Sequence, residues 1–132
     1  MPENTCPLCS DKDLVIDNDK AIENELAYVL TDTNPVSPGH CLIVTRRHIA
    51  EFFDATQEEK IAIFELIDEM KAIIDKKHNP DGYNIGVNIR KAAGQSVPHI
   101  HIHMMPRYEG DIENPRGGVR GVIPSKQKYS SK

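Results

Sequence analysis

The 132-residue chain has no tryptophan, and its aromatic share is only 5%. So little ring surface argues against a platform that stacks the bases of single-stranded RNA or DNA. A basic excess is also missing: 16 Lys and Arg against 20 Asp and Glu leave a net charge of −4, which excludes a uniform cationic coat for nucleic acid. No apolar run approaches the roughly 20 residues of a bilayer span, and no early apolar stretch reads as an export signal, so no membrane partner is expected. Cysteine is scarce and odd in number, three in all, which argues against a disulfide framework and for a reducing, cytoplasmic setting. What is left is an ordinary globular composition, 39% hydrophobic and 27% charged, at a length typical of one domain.

Charge is unevenly spread. Residues 115–132 carry Arg116, Arg120, Lys126, Lys128 and Lys132 and no acid, so the first 114 residues carry −9. The chain divides accordingly into a domain over 1–114 and a basic extension over 115–132. The extension reads either as a solvated terminus or as an arm that meets polyphosphate. Val119, Val122, Ile123 and Pro124 within it are unusual for a purely disordered end and keep the docked arm level with the solvated terminus.

Periodicity predicts an α+β domain. Residues 1–13 are irregular; Leu14 to Asp17, Leu26 to Leu30 and Cys41 to Thr45 read as strands, with Asn34 to Gly39 a proline-bounded loop. Residues 57–77 form the main amphipathic helix, with Ile63, Leu66, Ile67, Met70 and Ile74 on one stripe. Thr56 and Glu59 make a capping box at its start, and Asn79-Pro80-Asp81-Gly82 ends it. His78, after two lysines at the helix end, needs no role beyond complementing the dipole there. Tyr83 to Ile89 and His99 to Met105 each alternate, the first with Asn84, Gly86 and Asn88 on its polar side, the second with His99, His101 and His103. A helix over the apolar face leaves the asparagines and histidines in a polar cleft of an antiparallel sheet.

Three imidazoles on one side of one strand are poor packing material, because each buried ring nitrogen needs a partner. Two chemistries suit them. Histidines two apart on one face can share a tetrahedral ion. Alternatively, a neutral imidazole attacks phosphorus while its neighbours donate hydrogen bonds to the phosphoryl group and its leaving oxygen. The surroundings favour phosphoryl chemistry. Gly94-Gln95-Ser96-Val97 precedes the strand, offering backbone N–H groups and a hydroxyl, and Asn88 adds an uncharged donor. Residues 82–108 contain no carboxylate to repel phosphate. Cys6 and Cys9 form a C-x2-C pair, too few ligands for zinc without others; His48 is a third candidate. Cys41 lies in an apolar run and reads as core.

The segments P-G-H-C-L-I-V and G-Q-S-V-P-H-I-H-I-H-M-M-P-R resemble the histidine triad family of nucleotide hydrolases and transferases, over roughly Cys6 to Pro106. The resemblance implies about five antiparallel strands against a central helix, in a homodimer. It implies that His101 attacks the α-phosphate of a nucleotide substrate to form a covalent nucleotidyl-histidine, which water then releases as nucleoside monophosphate. His103 then holds the phosphate or passes a proton, and His99 and His40 support the site. Asn34, Asn88, Gly94, Gln95 and Ser96 surround ribose, phosphate or leaving group. Some members hold a structural zinc through a cysteine pair and two histidines, here Cys6, Cys9, His48 and His99, with no metal needed for catalysis. Pro106, Arg107, Gly110, Asp111 and the basic tail look nearer the Fhit-like and bacterial hydrolases of dinucleoside polyphosphates than the Hint-like phosphoramidases. A nucleotide-binding protein with vestigial activity and a hydrolase that uses the triad as metal ligands are the competing readings.

Overall fold

The structure is a computed structural model that describes residues 2–129. Its strongest local signal is α1, Gln57–His78. The Thr56 hydroxyl accepts the Glu59 N–H at 3.1 Å, and the Glu59 carboxylate accepts the Thr56 N–H at 2.8 Å, so two orphan donors are satisfied reciprocally. Asn79, in the left-handed conformation, ends the helix by donating its N–H to the Asp75 carbonyl. Ile63, Leu66, Met70 and Ile74 are buried along one stripe, with Ile67 partly so.

Two short strands, β1 (Ile16–Asp17) and β2 (Lys20–Ala21), pair as a hairpin. The main sheet contains β3 (Ala27–Thr31), β4 (Cys41–Thr45), β5 (Gly82–Val87) and β6 (His101–Arg107). Its order is β3-β4-β6-β5, antiparallel throughout. Where about five strands are expected, the main sheet has four among the described residues. The expected Leu14 to Asp17 strand is cut to two residues and reaches β3 only through an isolated bridge, Leu14 to Leu30.

Alternation along the strands divides the interior in two. Ala27 and Val29, Cys41 and Ile43, and Ile102 and Met104 face α1 and form the larger core. On the opposite face Tyr28, Leu30, Leu42 and Val44 pack against Cys6 and Leu8 of the N-terminal segment. His101 lies opposite Val44 and His103 opposite Leu42, so both imidazoles occupy this second face, away from the helix. Cys41 is core, as its apolar run predicts.

The histidine strand begins two residues later than alternation predicts. The His99 N–H turns back to the Val97 carbonyl at 2.8 Å, and the Ile100 N–H goes to the Ile49 carbonyl at 3.0 Å. His99 therefore sits in a bend ahead of β6. On the other side of the site, Gly39 has φ +94°, and a Cβ there would lie 3.1 Å from both His78 and Pro106. Only glycine lets the chain pass this close and deliver His40 beside β6. The tail from Pro115 to Tyr129 also folds: short 3-10 turns over Gly118–Val122 and Pro124–Lys126 lie on the β5 side of the domain. Lys132 of the expected basic arm lies outside the described residues.

Candidate active site and metal centre

His101 and His103 come from β6 with ring centroids 5.2 Å apart. Their hydrogen bonds assign opposite tautomers. The His101 Nδ1 lies 2.8 Å from the His99 carbonyl, which can only accept, so Nδ1 carries the proton and Nε2 keeps a lone pair. His40 is oriented from the other direction. The Val36 N–H donates to its Nδ1 at 3.0 Å, so the His40 proton is on Nε2. That Nε2 lies 3.0 Å from the His103 Nδ1, which must accept, leaving the His103 proton on Nε2. One ring thus presents an unprotonated Nε2 and its neighbour an Nε2–H.

Burial holds the relay neutral. It pushes the protonation of both His40 and His103 below the ordinary histidine value, with the His101 and His40 rings adding to the effect on His103 and the Asp32 carboxylate opposing it on both. Asp32 stands 3.3 Å from the His40 Nε2 and 3.9 Å from the His103 Nδ1. The sequence reading passed over Asp32, because a carboxylate counts against a phosphate site. Its signal was its place just before the loop that delivers His40. Asp32, His40 and His103 are close enough to bracket a cation. However, the Val36 N–H keeps a proton on the very His40 nitrogen that would have to bind one, which disfavours these three residues as a metal-ligand set.

A cavity of about 260 Å³ opens on this pair. Asn34, Asn88 and Ser96 line it together with His101 and His103, and Leu30 and Leu42 supply an apolar wall. The cavity is not free of acid, since Asp32 and Asp13 also reach it. Gly94 and Gln95 fall outside the lining. Gly94 is exposed with φ +92°, ending a short turn. Gln95 accepts the Arg90 N–H at 2.8 Å and donates to the Ala50 and Val97 carbonyls at 2.6 and 3.0 Å. Its amide is consumed in holding the loop that presents Ser96.

The N-terminal cysteines meet two histidines on the buried side. Cys6 Sγ lies 3.5 Å and Cys9 Sγ 3.4 Å from the His99 Nδ1; the His48 Nδ1 is 3.1 Å from Cys9 Sγ and 3.2 Å from the His99 Nδ1. A tetrahedral zinc with Zn–S about 2.3 Å and Zn–N about 2.05 Å has N···N edges of about 3.3 Å and S···N edges of about 3.6 Å. The donor set fits. The His99 Nε2 also donates to the Thr45 carbonyl at 2.7 Å, which fixes the tautomer that offers Nδ1 as a ligand. Burial, and then Cys6, push the Cys9 thiol up to about 11, a penalty that a bound cation reverses by displacing the proton. His99 was expected both to support the catalytic site and to bind zinc. Its side chain faces the cysteines, while its backbone carbonyl orients His101.

The fold and site define an antiparallel α+β domain with two adjacent imidazoles beside a small polar cavity. A family model for the HIT domain matches residues 13–110, and the chain belongs to that family. It is 34% identical over 90 residues to the Bis(5'-adenosyl)-triphosphatase of Dictyostelium discoideum, covering 68% of this chain and 60% of that protein. It is 31% identical over 112 residues to the AP-4-A phosphorylase of Mycobacterium tuberculosis, covering 84% and 55%. The chain thus spans less than two thirds of each of these curated relatives. Among solved structures, a Zn-bound histidine triad family protein from Mycobacterium smegmatis superposes with a TM-score of 0.67 at 28% identity, over 83% of this chain and 80% of that one.

Proposed function

We propose that this chain hydrolyses dinucleoside polyphosphates, such as diadenosine tetraphosphate, releasing nucleoside monophosphate through a covalent intermediate on His101. The observation that carries the reading is the bond from His101 Nδ1 to the His99 carbonyl, because it leaves Nε2 unprotonated beside Asn34, Asn88 and Ser96. Relatives named as a triphosphatase and a phosphorylase of diadenosine compounds support the substrate class.

The His101 Nε2 attacks the α-phosphorus, and the bond to the bridging oxygen breaks. The His103 Nε2–H hydrogen-bonds that oxygen as negative charge develops on it. The Ser96 hydroxyl and Asn88 amide are positioned to donate to the non-bridging oxygens. Positive charge on the nucleotidylated imidazole is offset by the His99 carbonyl dipole. Water then attacks the same phosphorus and gives up a proton to solvent, the P–N bond breaks to restore neutral His101, and nucleoside monophosphate departs. Asp32 and Asn34, which also line the cavity, are assigned to the ribose.

Cys6, Cys9, His48 and His99 would hold a zinc ion, which supplies rigidity and no chemical step. A reducing compartment such as the cytoplasm keeps the cysteines available as ligands. The chain would act as a homodimer, for which β5 offers an edge of the main sheet that pairs with no further strand among the described residues. The test of function gives purified wild type and His101→Ala diadenosine tetraphosphate and adenosine phosphoramidate in parallel. AMP from the wild type and none from the variant is the expected result. Faster phosphoramidate turnover would move the chain to the other branch, and no AMP from either substrate would refute the reading.

A further inference from the structure

A second cavity, of about 630 Å³, lies beside the first. Asn84, Gly86 and Met105 form its floor on the histidine face of the sheet, and Val119 and Val122 of the tail form its roof. His103 lines both cavities. The donor assigned to the departing oxygen thus stands at the junction of the two. We infer that the tail and β5 build a subsite for the nucleoside on the leaving-group side of a dinucleoside polyphosphate, an inference that rests on the hydrolase reading above.

The shape and chemistry suit a nucleobase. Nothing lies within 4 Å of where a Gly86 side chain would begin, so the floor is bare backbone on which a flat ring can rest. Val119 and Val122 are 62% and 77% exposed, apolar groups that no core explains. The Asn84 carbonyl oxygen accepts the Arg107 guanidinium at 2.6 Å, so its NH2 is the part left to donate to a ring nitrogen or carbonyl. Apolar walls with one oriented amide are the usual makings of a small-ligand site.

The roof is a built structure. Gly117 has φ +89°, and a Cβ there would lie 1.9 Å from the Gln127 carbonyl oxygen, while one at Gly121 would lie 2.7 Å from the Gln127 side chain. The Gln127 amide donates to the Arg116 carbonyl at 3.3 Å. Arg116 and Arg120 stack on the Tyr129 ring at 5.1 and 5.0 Å. Both arginines of the basic extension thus help to shape the tail.

The test compares wild type with Val119→Ser/Val122→Ser. Both side chains are exposed, so the fold survives their change. kcat/KM is measured for diadenosine tetraphosphate and for adenosine phosphoramidate, which has no second nucleoside. The ratio of the two is expected to fall about tenfold in the double variant through a rise in KM for the dinucleotide. An unchanged ratio overturns the subsite. If wild type turns over neither substrate, the hydrolase reading fails first. Calorimetric binding of diadenosine tetraphosphate and of AMP to both proteins then decides the subsite: equal weakening of the two ligands, or none, rejects it.

Discussion

His40 touches no reacting atom in the proposed mechanism, so its removal separates positioning from chemistry. His40→Ala deletes the donor to the His103 Nδ1 at 3.0 Å and leaves His101 bonded to the His99 carbonyl. A neutral hydrogen bond contributes about 1 kcal/mol net, so the His103 tautomer ratio shifts by roughly fivefold. kcat/KM should fall by a similar factor on any substrate. His103→Gln removes the proton donor itself, which is worth about 10²- to 10⁴-fold where a proton is required. An amine leaving group requires one, whereas a polyphosphate departs as an anion. The His103→Gln loss should therefore be much larger on adenosine phosphoramidate than on diadenosine tetraphosphate, while the His40→Ala loss stays near fivefold on both. Steady-state kinetics with both substrates, and thermal melts to confirm folding, give the comparison. If folded His40→Ala is as inactive as His101→Ala, or His103→Gln loses equally on the two substrates, the relay derived from the tautomers is wrong.

Chelation should lower the melting temperature of zinc-loaded protein, and Cys9→Ser should reduce bound zinc measured by mass spectrometry; a stoichiometry unchanged by Cys9→Ser would remove this residue from the metal centre. Thr56→Ala deletes the acceptor of the Glu59 N–H and should cost about 1 kcal/mol. At roughly 2.1 cal/mol/K per residue this is a drop of about 4 °C in Tm, and a shift under about 1 °C would show that the cap contributes nothing. His40 and His103 are held below the ordinary histidine value in the fold, so the unfolded chain binds more protons once pH falls below about 6.5. Stability should be level above that pH, decline as pH falls from it toward the lowered folded values, and lose nothing more through these two groups below them. Urea denaturation at pH 7.5, 6.5 and 5.5 in metal-free protein reads the slope, and the slope should shrink in His103→Gln.

Local patterns made much of this molecule legible. The period near 3.6 in α1, its capping box, and the period of two that sends His101 and His103 to one face and Ile102 and Met104 to the other are properties of neighbouring residues. The H-x-H-x-H spacing and the C-x2-C pair likewise announced chemistry without a structure. Which of those groups meet was another matter. His99 shares the spacing of the triad, yet its N–H bond to Val97 and the pairing of Ile100 with Ile49 take it out of the strand and toward Cys6, 93 positions away. His40 became a proton-placing residue only because Gly39 lets its loop press against Pro106. Asp32 had no motif to mark it, and Gln95, expected around the substrate, bonds three backbone groups. The stacking of the tail's Arg116 and Arg120 on Tyr129 had no sequence signal either. Side-chain direction follows from the backbone period, and sequence alone determined it. Tautomers, ligand sets and cavity walls depend on atoms from distant segments meeting within about 3 Å, and only the tertiary structure decided those.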